Sequence, residues 1–155
     1  MTPYVYGPPG YAKFMWNLDS SVGKGGANNN ATDISFVQWY YTLSRDFHLT
    51  TPAAKAIYKN VAITGKCTGQ DSDPLVQAIL SQQRETRHPT VDGKISVAKG
   101  TGKVGDSAYF ILRMGARMAV MYPQAWPRLD QIPHCPGAVA AASKAAIPQM
   151  AELGG

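Results

Sequence analysis

Three tryptophans, Trp16, Trp39 and Trp126, and eight tyrosines share a chain of 155 residues with Asn28, Asn29, Asn30, Gln38, Gln77, Gln82 and Gln83. Aromatic faces stack on the axial C–H faces of sugars, and amides satisfy hydroxyl and N-acetyl groups. The set therefore points to a neutral polar ligand such as a glycan. Aromatic rings also fill hydrophobic cores, so the elements that carry them decide between the two uses.

Other chemistries have weaker support in the residue pattern. The histidines His48, His88 and His134 lack zinc spacing, with neither paired cysteines nor two histidines one helical turn apart. Cys67 with a distant histidine is the minimum for a thiol hydrolase, and that reading stands as an alternative. Of ten carboxylates, Asp33, Asp73 and Asp106 sit where a helix cap needs an acceptor. Only Glu85 and Asp92 look uncommitted, and Glu85, beside Arg84 and Arg87, reads most simply as a solvated surface charge, so no glycosidase pair stands out. Gly100-Thr101-Gly102-Lys103-Val104-Gly105 has dinucleotide-fingerprint spacing. It lacks the second strand and the acidic residue that such a site requires. As a phosphate loop it has Val97 in place of the first glycine and Val104 in place of the magnesium-binding hydroxyl. We therefore expect no cofactor and no metal and assign no catalytic residue, so enzymatic activity is the minority reading.

The charge balance narrows the partners. The net charge is +5, yet only 16% of residues are charged, against roughly 25% in an average domain. Basic residues are scattered, and the densest stretch, Arg84 to Arg87, is interrupted by Glu85. No specific nucleic-acid partner is expected. No apolar run approaches the roughly 18 residues of a membrane span, so membrane insertion is not expected either. The opening Met1-Thr2-Pro3-Tyr4 has no basic and apolar signal regions. The expectation is synthesis in the cytoplasm, with possible delivery to the periplasm or carriage on a particle. The two cysteines, Cys67 and Cys135, leave open whether they are bridged.

These side chains need elements to position them. Residues 1–20 read as an extended aromatic arm packed on the body, and 21–155 as a single helical domain. A turn-rich loop, Ser20 to Asn30, leads into a helix over Asp33 to Ser44, with Asn30 or Thr32 as its cap. Ile34, Val37 and Tyr41 line one stripe of that helix, with Phe36, Tyr40 and Leu43 beside it, so it should be central. Thr51-Pro52 and Asp73-Pro74 are cap and first-turn pairs that start two more helices. The first of these should stop near Gly65, and Pro89 bounds the second. Val91 to Val97 reads as a short strand, extended loop or small hairpin around Asp92-Gly93. A fourth helix is expected from Asp106 to Met121, and a last one over Gly137 to Ala146. The fold class is mainly α, a compact bundle of four to five helices with a short β-hairpin or extended segment.

Ser21-Val22-Gly23-Lys24-Gly25-Gly26-Ala27-Asn28, then Asp33-Ile34 and Val37-Gln38, are followed by Ile63-Thr64-Gly65-Lys66-Cys67-Thr68-Gly69. The Ile79 to Gln82 helix, Val91-Asp92-Gly93-Lys94-Ile95 and Gly100-Thr101 come next. Over about residues 20–105 this order resembles the peptidoglycan-binding-like helical domains found beside phage wall enzymes and type VI secretion cargo. Trp39-Tyr40-Tyr41 stands in place of the usual aliphatic pair, Thr64 in place of an Asp, and the Phe-Gln of the third helix is missing. Residues 106–155 have no counterpart and form a C-terminal elaboration.

The resemblance implies a non-catalytic module that holds a glycan or peptide stem in a shallow groove. Asn28, Gln38, Trp39, Tyr40 and Asp92 are then the candidate ligand-binding residues. With no hydrolase attached, the module would serve as an adaptor to the bacterial cell wall. The alternative is a structural or interaction component of a phage particle or secretion system, with a protein partner or a homo-oligomer. The second alternative is a small wall hydrolase using Cys67.

Overall fold

The computed structural model describes residues 1–6, 13–100 and 109–153. Its contacts divide the chain into two compact units, Ser20–Ser96 and the combined segments Met1–Asp19 and Val97–Gly155. Among the described residues there are six α-helices and four short strands, so the chain is mainly α.

In the Ser20–Ser96 unit, strand β3 (Val22–Gly23) precedes helix α1 (Ala31–Asp46). Asn30 caps α1 by accepting from the backbone N–H of Asp33 at 3.0 Å. The buried Asp33 carboxylate accepts from Ser20 N–H at 2.9 Å, tying the loop back to the first turn. Helix α1 buries Ile34, Phe36, Val37, Trp39, Tyr40, Tyr41 and Leu43. An apolar surface on nearly every side makes it the central helix.

Thr51 caps α2 (Pro52–Tyr58) and Asp73 caps α3 (Pro74–Glu85), each with proline in the first turn. Proline is tolerated there because the first helical N–H groups have no intrahelical partner. Helix α2 ends at Tyr58, short of the expected stop near Gly65. Val61 N–H turns back to Tyr58 C=O at 3.0 Å, and the following residues leave the helix to bond α1 instead.

Strand β4 (Lys94–Ile95) is the short strand expected within Val91 to Val97. It pairs with distant β3, antiparallel, Val22 opposite Ile95 and Gly23 opposite Lys94. Gly23 has φ +112°, and a Cβ there would lie 2.3 Å from Gly93 O. Only glycine fits this crossing.

In the other unit, residues from the aromatic N-terminal segment form an antiparallel hairpin, β1 (Thr2–Tyr6) with β2 (Lys13–Asn17). Strand β2 packs on α4 (Phe110–Met121) at Gly115, where an added Cβ would fall 2.8 Å from Met15 and 3.2 Å from the Trp126 ring. The expected start of α4 at Asp106, and Thr101 to Gly105, lie outside the described residues. Trp16 is buried and donates its indole N–H to Pro127 C=O at 3.0 Å. A 3₁₀ turn over Leu129–Gln131 packs on α5 (Gly137–Ala145). A further short helix, α6 (Ile147–Glu152), has proline in its first turn and was not anticipated from the Ala-rich stretch before it.

Candidate functional site

Gln38 is buried on α1 and uses its whole amide. Its Oε1 accepts from the backbone N–H groups of Thr64 at 2.8 Å and Gly65 at 2.9 Å. Its Nε2 donates to Thr64 Oγ1 and to Lys66 C=O, both at 3.0 Å. Thr64 Oγ1 also accepts from Lys66 N–H at 3.2 Å. The extended chain after α2 is thereby held against α1, with Gly65 at φ +72°.

Gln83 does the same on α3. Its Oε1 accepts from Asp92 N–H at 3.1 Å and Gly93 N–H at 2.8 Å. Its Nε2 donates to Asp92 Oδ1 at 3.2 Å and Lys94 C=O at 3.1 Å. Asp92 Oδ1 accepts from Lys94 N–H at 3.0 Å, and Gly93 has φ +73°. Two helices thus each present one buried glutamine to a three-residue turn centred on glycine and ending in lysine.

The loops on this unit are latched by Asn28 and Asp73. Asn28 accepts from Gly23 N–H at 2.8 Å and donates to the carbonyls of Gly23 and Gly26 at 2.8 and 3.2 Å. A Cβ on Gly69 would lie 2.8 Å from the Asn28 amide nitrogen, so the two loops touch directly. The Asp73 carboxylate accepts from Leu75 N–H, Thr68 N–H and the Thr68 hydroxyl. An exposed ion pair, Lys24 with Asp71 at 2.8 Å, joins the same loops.

Against this frame lies a cleft of about 180 Å³ lined by Gln38, by Asn60, Val61, Thr64 and Lys66 after α2, and by Asp73 at the start of α3. Asn60, Thr64 and Lys66 are exposed. Lys66 has no ion pair among the described residues. The cleft therefore offers the Asn60 amide and the Lys66 ammonium beside a hydrophobic wall, the Thr64 hydroxyl being taken by Gln38 and Lys66.

Of the five residues expected to bind ligand, only Gln38 lines this cleft, and its hydrogen bonds are already taken by the protein. Trp39 and Tyr40 are wholly buried, and Tyr40 Oη accepts from Gln82 Nε2 at 2.6 Å. Their rings are packed inside the unit and present no face for stacking. Asn28 and Asp92 shape turns. The exposed polar residues Asn60, Thr64 and Lys66 are not among the five, and the second clamp residue, Gln83, stands in the sequence reading only as one of the chain's amides. Their signal is a helical glutamine followed downstream by Thr-Gly-Lys or Asp-Gly-Lys, a pattern that becomes visible once the two turns are compared.

Cys67 is half-buried near Asp73 and the backbones of Gly69 and Gly23. Burial pushes its thiol above the ordinary value, and the Asp73 carboxylate adds to the shift. A thiol nucleophile requires the opposite, a lowered pKa beside a positive group. Cys135 is also a free thiol. Among the described residues, no three His, Cys, Asp or Glu side chains form a group suited to a metal ion. No described helix is long and apolar enough to cross a membrane.

Comparison of the chain with protein-family models, curated proteins and solved structures gives no match in any of the three.

Proposed function

We propose that the chain is a non-catalytic binding module for peptidoglycan or a related cell-wall polymer, acting as an adaptor through its Ser20–Ser96 unit. The observation that carries this reading is the pair of glutamine clamps. Of the residues on which the resemblance rests, Gln38 holds the Thr64–Lys66 turn and lines the cleft, and Asp92-Gly93 is the turn that Gln83 holds. Support also comes from the Ser20–Ser96 unit, which holds the resembling motifs from Ser21 to Ile95.

A cleft of about 180 Å³ suits one projecting group of a polymer rather than a whole saccharide, since sites for drug-sized ligands occupy roughly 300–1,000 Å³. The Lys66 ammonium can meet a stem-peptide carboxylate, while the Asn60 amide can bond an amide or N-acetyl group. The buried aromatics stabilise the frame in this reading and do not touch the ligand.

Co-sedimentation with purified sacculi tests the proposal. The chain should pellet at low salt, and Lys66→Glu or Asn60→Ala should weaken binding at least fivefold. Both positions are exposed, so circular dichroism should stay unchanged. Failure of the folded parent chain to pellet would overturn the proposal, as would undiminished binding by both variants.

A further inference from the structure

The unit formed by Met1–Asp19 and Val97–Gly155 contains a larger cavity, about 720 Å³, which the cell-wall reading does not use. This volume falls within the usual range of small-molecule sites. One wall is Phe14 and Met15 of β2, together with Trp126, whose ring is seated against Gly115. The lining also includes α6, where Ile147, Met150 and Ala151 follow i, i+3, i+4 spacing and form one stripe. All three line the cavity, and no residue of α6 is buried. The helix turns an apolar face toward space rather than toward protein.

Among the described residues, the only ionisable side chains in the lining are Lys13 and Arg128. Arg128 is fixed in place: its Nε and Nη2 donate to the two oxygens of Asp130 at 2.9 and 2.6 Å. Asp130 is in turn held by the Ser143 hydroxyl at 2.8 Å. A guanidinium has five N–H donors, so this pairing leaves donors on Arg128 for another acceptor. Lys13 is exposed and has no ion pair among the described residues. Since Asp130 offsets the charge on Arg128, Lys13 supplies the net positive charge.

An apolar space with cations and, among the described residues, no carboxylate in its lining selects an occupant with an apolar body and an anionic head. The body cannot be extended peptide, because the lining has too few polar groups to pair with its N–H and C=O groups, and burying those unpaired is costly. An alkyl chain carries no such groups. We infer that this cavity binds a single-chain alkyl carboxylate, with the chain between β2 and α6 and the carboxylate at Lys13 and Arg128.

Titration calorimetry on the full chain with decanoate, and separately with 1-decanol, tests this. Decanoate should bind saturably at one per chain, and 1-decanol at least tenfold more weakly. Lys13→Gln should weaken decanoate binding several-fold. Ala116→Trp and Ala151→Trp, which fill the cavity from exposed positions, should abolish it while circular dichroism and sacculus pelleting stay unchanged. The inference is overturned if decanoate does not saturate, if the alcohol binds equally well, or if both tryptophan variants still bind. Light scattering that shows a dimer dissociated by Ala116→Trp would also overturn it, because a second copy would then cover the cavity.

Discussion

Gln38 on α1 and Gln83 on α3 make the same four kinds of hydrogen bond to two different turns, Thr64–Lys66 and Asp92–Lys94. In each, the carbonyl oxygen collects two successive backbone N–H groups, while the amide nitrogen bonds the side chain that opens the turn and the carbonyl that closes it. The arrangement satisfies every strong polar site on both side chains, which is why two amides can be buried in this unit at little cost. It also makes each glutamine hard to replace.

Gln83→Ala should destabilise the chain by about 3 kcal/mol, because truncation strands two backbone donors and a carbonyl around buried Gly93, and Gln38→Ala by about 1.5 kcal/mol, because water reaches the turn at exposed Thr64 and Lys66. Urea unfolding checks this, and a loss below about 1 kcal/mol in both would contradict the clamp. Gln83→Glu adds a sign. Its buried carboxylate would face Asp92 Oδ1 and Lys94 C=O, two acceptors, so its folded pKa should rise above the unfolded value. The variant should then be least stable at neutral pH and recover as pH falls toward 4, the roughly 4.3 of a free Glu.

Thr64 performs in the first turn what Asp92 performs in the second, accepting from the lysine N–H two residues on. Thr64→Asp should therefore change stability by no more than about 0.5 kcal/mol, while Thr64→Val should lose about 1 kcal/mol with the acceptor. Thermal denaturation of the pair would show whether the two turns are equivalent.

Gly23 and Gly25 both have positive φ, +112° and +67°, but differ in surroundings. A Cβ on Gly23 meets Gly93 O at 2.3 Å, whereas one on Gly25 meets nothing within 4 Å. Gly25→Ala should cost about 1 kcal/mol from backbone strain alone. Gly23→Ala should cost more than about 3 kcal/mol, because the β3 and β4 backbones must also separate. Equal midpoints in urea would contradict the close crossing.

Asp130 is held by Arg128 and by the Ser143 hydroxyl, which lower its pKa from 3.8 to about 2, with the Arg128 hydrogen bonds the largest cause. A carboxyl whose folded pKa lies below its unfolded value stabilises the fold above the unfolded value, and that contribution disappears as pH falls through the folded one. Stability should decline between pH 4 and 2 by about 1 kcal/mol from this group, with solvent screening at the guanidinium taken into account. Asp130→Asn should flatten that part of the pH profile, and a carboxyl titration by NMR would locate the pKa directly.

The two free thiols should be sluggish at neutral pH. Burial, followed by the Asp130 charge, raises Cys135 to about 11, and Cys67 is raised as well. Iodoacetamide labelling at pH 7.5 should be slow at both and accelerate toward pH 10, since the thiolate is the reactive form. Rapid labelling of Cys67 at pH 7 would favour a nucleophilic role.

The helices were largely legible because their signals are local. Asn30, Thr51-Pro52 and Asp73-Pro74 begin helices through bonds spanning two or three residues, and the stripe through Ile34, Val37 and Tyr41 identifies a central helix without knowledge of its neighbours. The candidate site was less legible. Trp39 and Tyr40 have the residue types that stack on sugars, but a helix apolar on nearly every side carries them into the core. Asp92 looked uncommitted because its partner, Gln83, sits on a different element. Asn60 gave no pattern at all, since exposure beside a cleft has no period in sequence.

The chain by itself therefore determined where α1, α2 and α3 begin, which helix is central, and that Asp73 serves a cap. Short-range hydrogen bonds and helical periodicity suffice for those. Tertiary structure alone decided that Val22–Gly23 pairs with Lys94–Ile95, that two glutamines act as matching clamps, and that α6 faces a cavity. Each depends on residues far apart in sequence meeting at distances that only the packed chain sets.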